Sequence, residues 1–309
     1  MSDIATVSLA QDPAAIAEPL GRSVHEYGFA VVSDHGIPAQ LIARAEDKTK
    51  AFFALPAQTK QAYKIEGGGG ARGYTPFGIE TAKDAAIHDL KEFWHVGRTL
   101  PAGHKYEDSM APNVWPSEVE GFEETMEDLY AAFDKAGRKV LSAIALHLGL
   151  QADWFDQTVA DGNSVMRLLH YPPLEGPRAE GAIRAAAHGD INTITLLLGA
   201  EEAGLELLTR QGEWLAVSPP EGALVVNIGD MLERLTAGYL PSTKHRVVNP
   251  VGEAAHRARY SMPFFLHFRP DFLIEPLESC ARRMGSDSAQ PPITAHDFLA
   301  QRLREIKLA

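Results

Sequence analysis

The sequence predicts an α+β fold that is mainly β: a jelly-roll core, a double-stranded β-helix, with a helix-rich N-terminal half packed on it. Three observations carry this reading. Residues 1–150 show apolar positions at helical spacing. After Asp161 the pattern changes to short apolar runs separated by turn residues such as P-P-L-E-G-P, R-Q-G-E and P-P-E-G. No repeat or low-complexity linker divides the two halves. Short strands punctuated by Gly and Pro favour a β-sandwich or barrel, whereas a period of about 3.6 marks helices facing a core. A single domain over 1–309 is therefore expected, with a helix-rich region at 1–150, the jelly-roll core at 160–275 and a closing helical segment at 276–309.

Asp12-Pro13 supplies an N-cap and a first-turn proline, and Ile16, Leu20, Val24 and Tyr27 recur at helical spacing, predicting a helix over 13–27 that Gly28 ends. F-A-V-V then reads as a buried strand before the turn D-H-G-I-P. Residues 38–55 form a second helix with Leu41, Ile42, Ala45, Phe52 and Phe53 on its apolar face. The run Gly67 to Gly70 matches neither phosphate-binding glycine pattern, so a mobile loop is expected. D-L-K-E-F-W-H-V-G suits a strand with Leu90, Phe93 or Trp94, and Val96 on its buried face. N-V-W-P introduces a long helix over 118–148, which Gly149 stops. The strands that follow are V-M-R-L-L-H-Y, the stretch around His188, L-E-L-L-T-R, W-L-A-V, A-L-V-V-N-I, H-R-V-V-N and R-Y-S-M-P-F-F-L-H-F. Residues 295–307 close the chain as a helix.

Composition excludes several classes. The net charge is −12, with no basic stripe, which argues against nucleic acid. No apolar run approaches a membrane span, and M-S-D-I-A-T-V lacks the layout of a secretion signal, so a cytoplasmic protein is expected. Cys280 is the single cysteine, which excludes an internal disulfide and a thiolate metal cluster. Its polar surroundings, E-S-C-A-R-R, argue against a thiol nucleophile.

The chemistry centres on R-A-A-A-H-G-D-I-N-T-I-T-L-L-L, from Arg184 to Leu198. Read as one strand, it places His188 and Asp190 on the same face, because side chains alternate with period two. An imidazole and a carboxylate then converge, two members of a 2-His-1-carboxylate set for non-haem Fe(II). Alone this is weak: with 12 His and 17 Asp in 309 residues, His-x-Asp arises by chance about 0.7 times. His245 follows in T-K-H-R-V, and then Arg259-Tyr260-Ser261, where Arg259 and Ser261 share a strand face and could both address a carboxylate. His35, in the D-H-G turn, is read as loop chemistry, and His170, His256 and His267, with no carboxylate at ligand spacing, as surface or supporting residues. Asp230, in N-I-G-D, is read as a buried polar strut.

The order His-x-Asp, His, Arg-x-Ser, together with Y-G-F-A-V-V-S-D-H-G-I-P, N-V-W-P, H-Y-P-P, V-N-I-G-D-M-L and T-K-H-R-V, resembles the isopenicillin N synthase-like family of Fe(II)- and 2-oxoglutarate-dependent dioxygenases. The resemblance spans most of the chain. It implies that His188, Asp190 and His245 bind iron, that Arg259 and Ser261 hold the distal carboxylate of 2-oxoglutarate, and that Tyr171 lies close to this co-substrate. O₂ would be the second co-substrate. Many plant members have asparagine two residues before that tyrosine; this chain has Leu169. The implied reaction couples oxidative decarboxylation of 2-oxoglutarate to hydroxylation, desaturation or ring closure of a small organic substrate. Alternatives are an oxidase of the isopenicillin N synthase type that uses no 2-oxoglutarate, a zinc hydrolase, and a non-catalytic jelly-roll binding protein. Candidates for contacting the substrate are Arg72, Tyr74, Phe77, Phe93 and Trp94.

Overall fold

A computed structural model describes residues 4–66, 70–79, 89–174, 183–198, 204–285 and 290–305. The N-terminal half supplies strand β1 (Thr6–Ser8), helix α1 (Pro13–Tyr27), β2 (Phe29–Ser33), α2 (Ala39–Phe53), the short α3 (Ala57–Gln61), β3 (Gly73–Thr75), β4 (Glu92–Gly97) and the long α4 (Phe122–His147). Helix α1 starts where the sequence says it should: Asp12 Oδ1 accepts from the Ala14 N–H at 2.8 Å, and Pro13 opens the first turn. Gly28 ends it at φ 69°, a left-handed conformation that glycine adopts without cost.

The C-terminal half continues with α5 (Asp156–Val159), β5 (Val165–Tyr171), β6 (Ala185–His188), β7 (Ile194–Leu198), β8 (Leu205–Leu208), β9 (Trp214–Ala216), β10 (Leu224–Ile228), α6 (Asp230–Leu235), β11 (His245–Val247), β12 (Arg259–Ser261) and β13 (Pro263–Leu266). It closes with β14 (Leu273–Ile274), α7 (Glu278–Met284), β15 (Ile293–Thr294) and α8 (Ala295–Glu305). Among the described residues nine strands form the larger sheet, in the order β1-β2-β10-β7-β13-β5-β4-β3 with β12 also on β5; four form the smaller, β6-β11-β8-β9. Phe29 and Val225 of the large sheet pack with Leu205 and Leu207 of the small one, so the two sheets face each other. The outer face of the large sheet is covered by α4, where a side chain at Gly137 would come within 2.5 Å of Leu266. This is the double-stranded β-helix with helices packed on it that the sequence predicts.

Two differences matter for the site. The stretch 184–198 is not one strand: β6 stops at His188, a turn follows, and β7 begins at Ile194. The turn is held from across the chain. Gly229 N–H donates to Thr193 O at 3.0 Å, and Asp230 N–H to Asp190 O at 2.7 Å. A Cβ on Gly229 would lie 2.1 Å from Asn192 O, so only glycine permits the crossing. The second difference is α6, a short helix where the sequence pattern announced only the end of a strand. Most of the expected mobile glycine run falls outside the described residues, as do the last residues of the closing helix.

Candidate metal centre

Strands β6 and β11 run antiparallel with His188 directly opposite His245, so both imidazoles project from the same face. Their ring centroids are 4.5 Å apart. His188 Nδ1 lies 2.7 Å from Ala186 O and His245 Nδ1 3.2 Å from Thr243 O. A carbonyl can only accept, so each Nδ1 carries the proton and each Nε2 presents a lone pair. Asp190 reaches the same point from the turn. Its Oδ2 accepts from Thr195 Oγ1 at 2.5 Å and from Asn227 Nδ2 at 2.8 Å. Its Oδ1 stands 3.9 Å from His188 Nε2 and 3.8 Å from His245 Nε2. These gaps are too long for hydrogen bonds.

All three ligand atoms lie within 4.8 Å of one another, and among the described residues this is the one such cluster. Two neutral nitrogens and one carboxylate oxygen, pointing at a shared space and bonded to nothing between them, fit a divalent ion such as Fe(II). The electrostatics agree. Burial, and then the neighbouring His245, push His188 down to about 4, which keeps it neutral and able to ligate. Burial alone would raise the Asp190 carboxyl; His245, His188 and the bonds from Asn227 and Thr195 overcome this and hold it below its ordinary value.

The cavity at this cluster runs on between the sheets and is lined by Tyr171, Arg259 and Ser261 among others. Arg259 pairs with Tyr171 and Ser261 with Leu169 across β12 and β5. The Arg259 guanidinium lies 5.0 Å from the Tyr171 ring centroid, and all three polar side chains are buried. Leu169, which stands where a plant-type asparagine would offer a polar contact, is instead apolar lining packed with Phe93 and Tyr171.

The substrate candidates separate. Phe93 joins that small cluster beside the cavity, whereas Trp94, on the opposite face of β4, is buried against Phe52 and Phe122. Period two forces one in and the other out. Tyr74 donates to Glu92 within the same helix-facing network, and Phe77 is exposed. Arg72 is a correction. Its side chain is 2% exposed, donates to Ala71 O and Asn163 Oδ1, and lies over Gly97, where a Cβ would come 1.9 Å from the guanidinium carbon. It is absent from the cavity lining, and burial lowers its pKa. A glycine opposite makes room for a buried arginine, a signal no sequence pattern displays.

Other residues that the sequence did not single out do line the cavity: Thr195 and Asn227, which hold Asp190, and Lys91 and Arg167. The buried Cys280 thiol is pushed up by burial, in keeping with an inert residue.

Comparison with known proteins agrees with this geometry. Residues 1–118 match the family model "non-haem dioxygenase in morphine synthesis N-terminal", and residues 162–268 match the 2OG-Fe(II) oxygenase superfamily. The 2-oxoglutarate-Fe(II) type oxidoreductase hxnY of Emericella nidulans is 35% identical over 295 residues, covering 93% of this chain and 83% of the relative. A crystal structure of a 2OG-Fe(II) oxygenase family protein from Caulobacter crescentus is 54% identical with a TM-score of 0.90, over 99% of this chain and 100% of that one. A Neurospora crassa protein solved with alpha-KG and thymine is 27% identical with a TM-score of 0.86, over 97% and 96% of the two chains. The chain belongs to the 2OG-Fe(II) oxygenase superfamily and is a 2-oxoglutarate- and Fe(II)-dependent dioxygenase, an oxidoreductase that uses O₂.

Proposed function

We propose that His188, Asp190 and His245 are the ligands of one Fe(II), that Arg259, Ser261 and Tyr171 receive 2-oxoglutarate, and that the enzyme hydroxylates, desaturates or ring-closes a small organic molecule. The observation that carries this is the facing pair His188 and His245, with Asp190 Oδ1 turned toward both and Oδ2 held away by Thr195 and Asn227. Bound Fe(II), with 2-oxoglutarate and O₂, supplies the oxidising power. The protein supplies the rest. Carbonyl acceptors fix both histidine tautomers, so the ring nitrogens need not reorganise. The Arg259 guanidinium offers a planar fork for a carboxylate, and Ser261 on the same strand face adds a hydroxyl donor. The ring of Tyr171 flanks that fork and, with Leu169, keeps water from it.

A single hydrophobic cluster takes in α1, α2, α4 and the large sheet, which supports treating 1–309 as one domain. The acidic charge speaks against nucleic-acid partners. No described helix is long and apolar enough to cross a membrane. A cytoplasmic enzyme is our reading.

The test is spectroscopic. Anaerobic protein given Fe(II) and then 2-oxoglutarate should develop the visible metal-to-ligand charge-transfer band, and Asp190→Ala should not. O₂ consumption that is indifferent to 2-oxoglutarate would move the assignment to the oxidase type.

A further inference from the structure

We propose that Asp89 is a positioning residue for the iron site: paired with Lys91, it holds the backbone of Ala186, and through Ala186 it sets the tautomer and direction of the His188 imidazole. The inference deepens the function proposed above and rests on its iron site.

The three proposed ligands are not held alike. His245 lies on β11, which has β6 on one side and β8 on the other. Asp190 is gripped at Oδ2 by Thr195 and Asn227. His188 is the last residue of β6, and among the described residues β6 is the edge of the smaller sheet, paired with β11 alone. That pairing shifts register between Ala185 and His188, and Ala186 falls inside the irregularity. The His188 side chain is also the most open of the three, 33% exposed against 10% for His245 and 6% for Asp190. An edge strand with a broken register has backbone groups that its own ladder does not bind, so they need partners from elsewhere.

The segment Asp89-Leu90-Lys91, which leads into β4 of the larger sheet, supplies them. Asp89 Oδ1 accepts from the Ala186 N–H at 3.0 Å, and the Leu90 N–H donates to Ile183 O at 3.3 Å. The Ala186 carbonyl is the group that accepts from His188 Nδ1 at 2.7 Å. Ala186 is thus held at its N–H by Asp89 and holds the ligand ring at its oxygen. One short relay of directed bonds runs from the larger sheet to the iron-facing imidazole.

Asp89 is itself oriented. Its Oδ2 accepts from Lys91 Nζ at 2.7 Å, and both side chains are buried. A buried ion pair adds little stability over apolar residues of similar size. What this one supplies is direction. With Lys91 on Oδ2, Oδ1 is left facing Ala186, just as Thr195 and Asn227 on Asp190 Oδ2 leave its Oδ1 turned toward the histidines.

The test uses the full-length protein. Fe(II) or Co(II) affinity is measured by competition with a coloured chelator at fixed pH, and the nitrogen signals of His188 in isotope-labelled, metal-free protein report its tautomer. Wild type should show the Nδ1–H form alone. Asp89→Ala should show a mixture of tautomers and hold the metal about 10- to 100-fold more weakly, the usual effect of removing a bond that supports a metal ligand. Asp89→Asn, which keeps an oxygen for the Ala186 N–H without the charge, should recover part of both losses. Should Asp89→Ala fail to fold, the double variant Asp89→Leu/Lys91→Met, which removes both buried charges together, should show the same weakening. Wild-type metal affinity with a single His188 tautomer in Asp89→Ala or the double variant, even with a lower melting temperature, would overturn the proposal. Equal losses in Asp89→Asn and Asp89→Ala would overturn it too. A wild-type protein that takes up no Fe(II) would strike the iron assignment itself, and this role with it.

Discussion

Asp230 and Asp190 are joined main chain to main chain, the N–H of Asp230 donating to the carbonyl of Asp190 at 2.7 Å, so that the first turn of α6 carries the turn that presents Asp190. The Asp230 carboxylate, in turn, is paired with Arg302 of α8 at 2.8 Å, with both side chains largely shielded from solvent. It also lies close to Gly189, between two of the proposed ligands. The C-terminal helix therefore reaches the proposed iron site through one ion pair.

The first prediction follows from that pair. Arg302→Met should leave the Asp230 carboxyl, already raised by burial, without its cation. Partial exposure discounts the cost to roughly 1–2 kcal/mol of stability, with a several-fold weaker hold on Fe(II). Thermal unfolding with and without Fe(II) checks both. If the variant unfolds earlier yet binds iron with wild-type affinity, the pair serves the helix alone.

A second prediction concerns Asn227, which donates to Asp190 Oδ2 from β10 at 2.8 Å. Asn227→Leu should free the carboxylate to rotate and lower metal affinity by about 10- to 100-fold, as loss of supporting bonds around metal ligands commonly does. Competition for Fe(II) or Co(II) against a coloured chelator would measure it. Unchanged affinity would mean that Thr195 alone orients the ligand.

How much of this was legible beforehand depended on whether the information was local. Helix α1 could be placed to the residue because Asp12, Pro13 and Gly28 carry its boundaries themselves. That His188, Asp190 and His245 would come together was legible because few residue types bind metal, although the single strand invoked for the first two does not exist. What ends β6 is Gly229 and Asp230, some forty residues away, and no window of sequence contains that contact. The same holds for the substrate side. Arginine next to a glycine run suggested Arg72, but Gly97 makes room to bury it. Arg167, hidden in an ordinary strand pattern, lines the cavity beside Leu169 and Tyr171. Phe93 and Trp94 were separable only as alternates until the packing of Trp94 on Phe52 showed which face is which.

A third prediction is a pH dependence of the metal-free protein. His267 is buried, donates from Nδ1 to Phe265 O at 3.0 Å, and is pushed down by burial to about 4. His188 is likewise near 4, and burial also lowers His147. A histidine whose folded pKa is depressed stays neutral when folded while the unfolded chain takes up a proton. Its stabilising effect is complete above about 6.5 and shrinks as pH falls toward 4. His267 and His188, the two near 4, should each cost roughly 1 kcal/mol between pH ~7.5 and ~5.5. The depressed carboxyls Asp190 and Glu92 contribute little there, because their stabilisation is lost only at lower pH. Urea unfolding at the two pH values should show a shallower loss in His267→Gln than in wild type; equal losses would place the titration elsewhere.

The last prediction tests the co-substrate end of the cavity. Arg259 is 4% exposed and faces the site beside Tyr171, so its guanidinium can meet a carboxylate with little competition from water. Truncating one partner of such a buried pair costs about 2–5 kcal/mol, or roughly 30- to several-thousand-fold in affinity. Arg259→Met should therefore raise the KM for 2-oxoglutarate by at least about 30-fold while Fe(II) binding stays near wild type, since Arg259 is not among the clustered ligand atoms. Ser261→Ala removes one hydroxyl donor and should cost about 1–2 kcal/mol. Lysine at 259 should restore only part, because an ammonium cannot reproduce the planar fork. Succinate release and O₂ uptake measured against 2-oxoglutarate concentration separate the cases. An unchanged 2-oxoglutarate dependence in Arg259→Met, with iron still bound, would mean that this arginine serves the primary substrate and that 2-oxoglutarate is anchored elsewhere in the cavity.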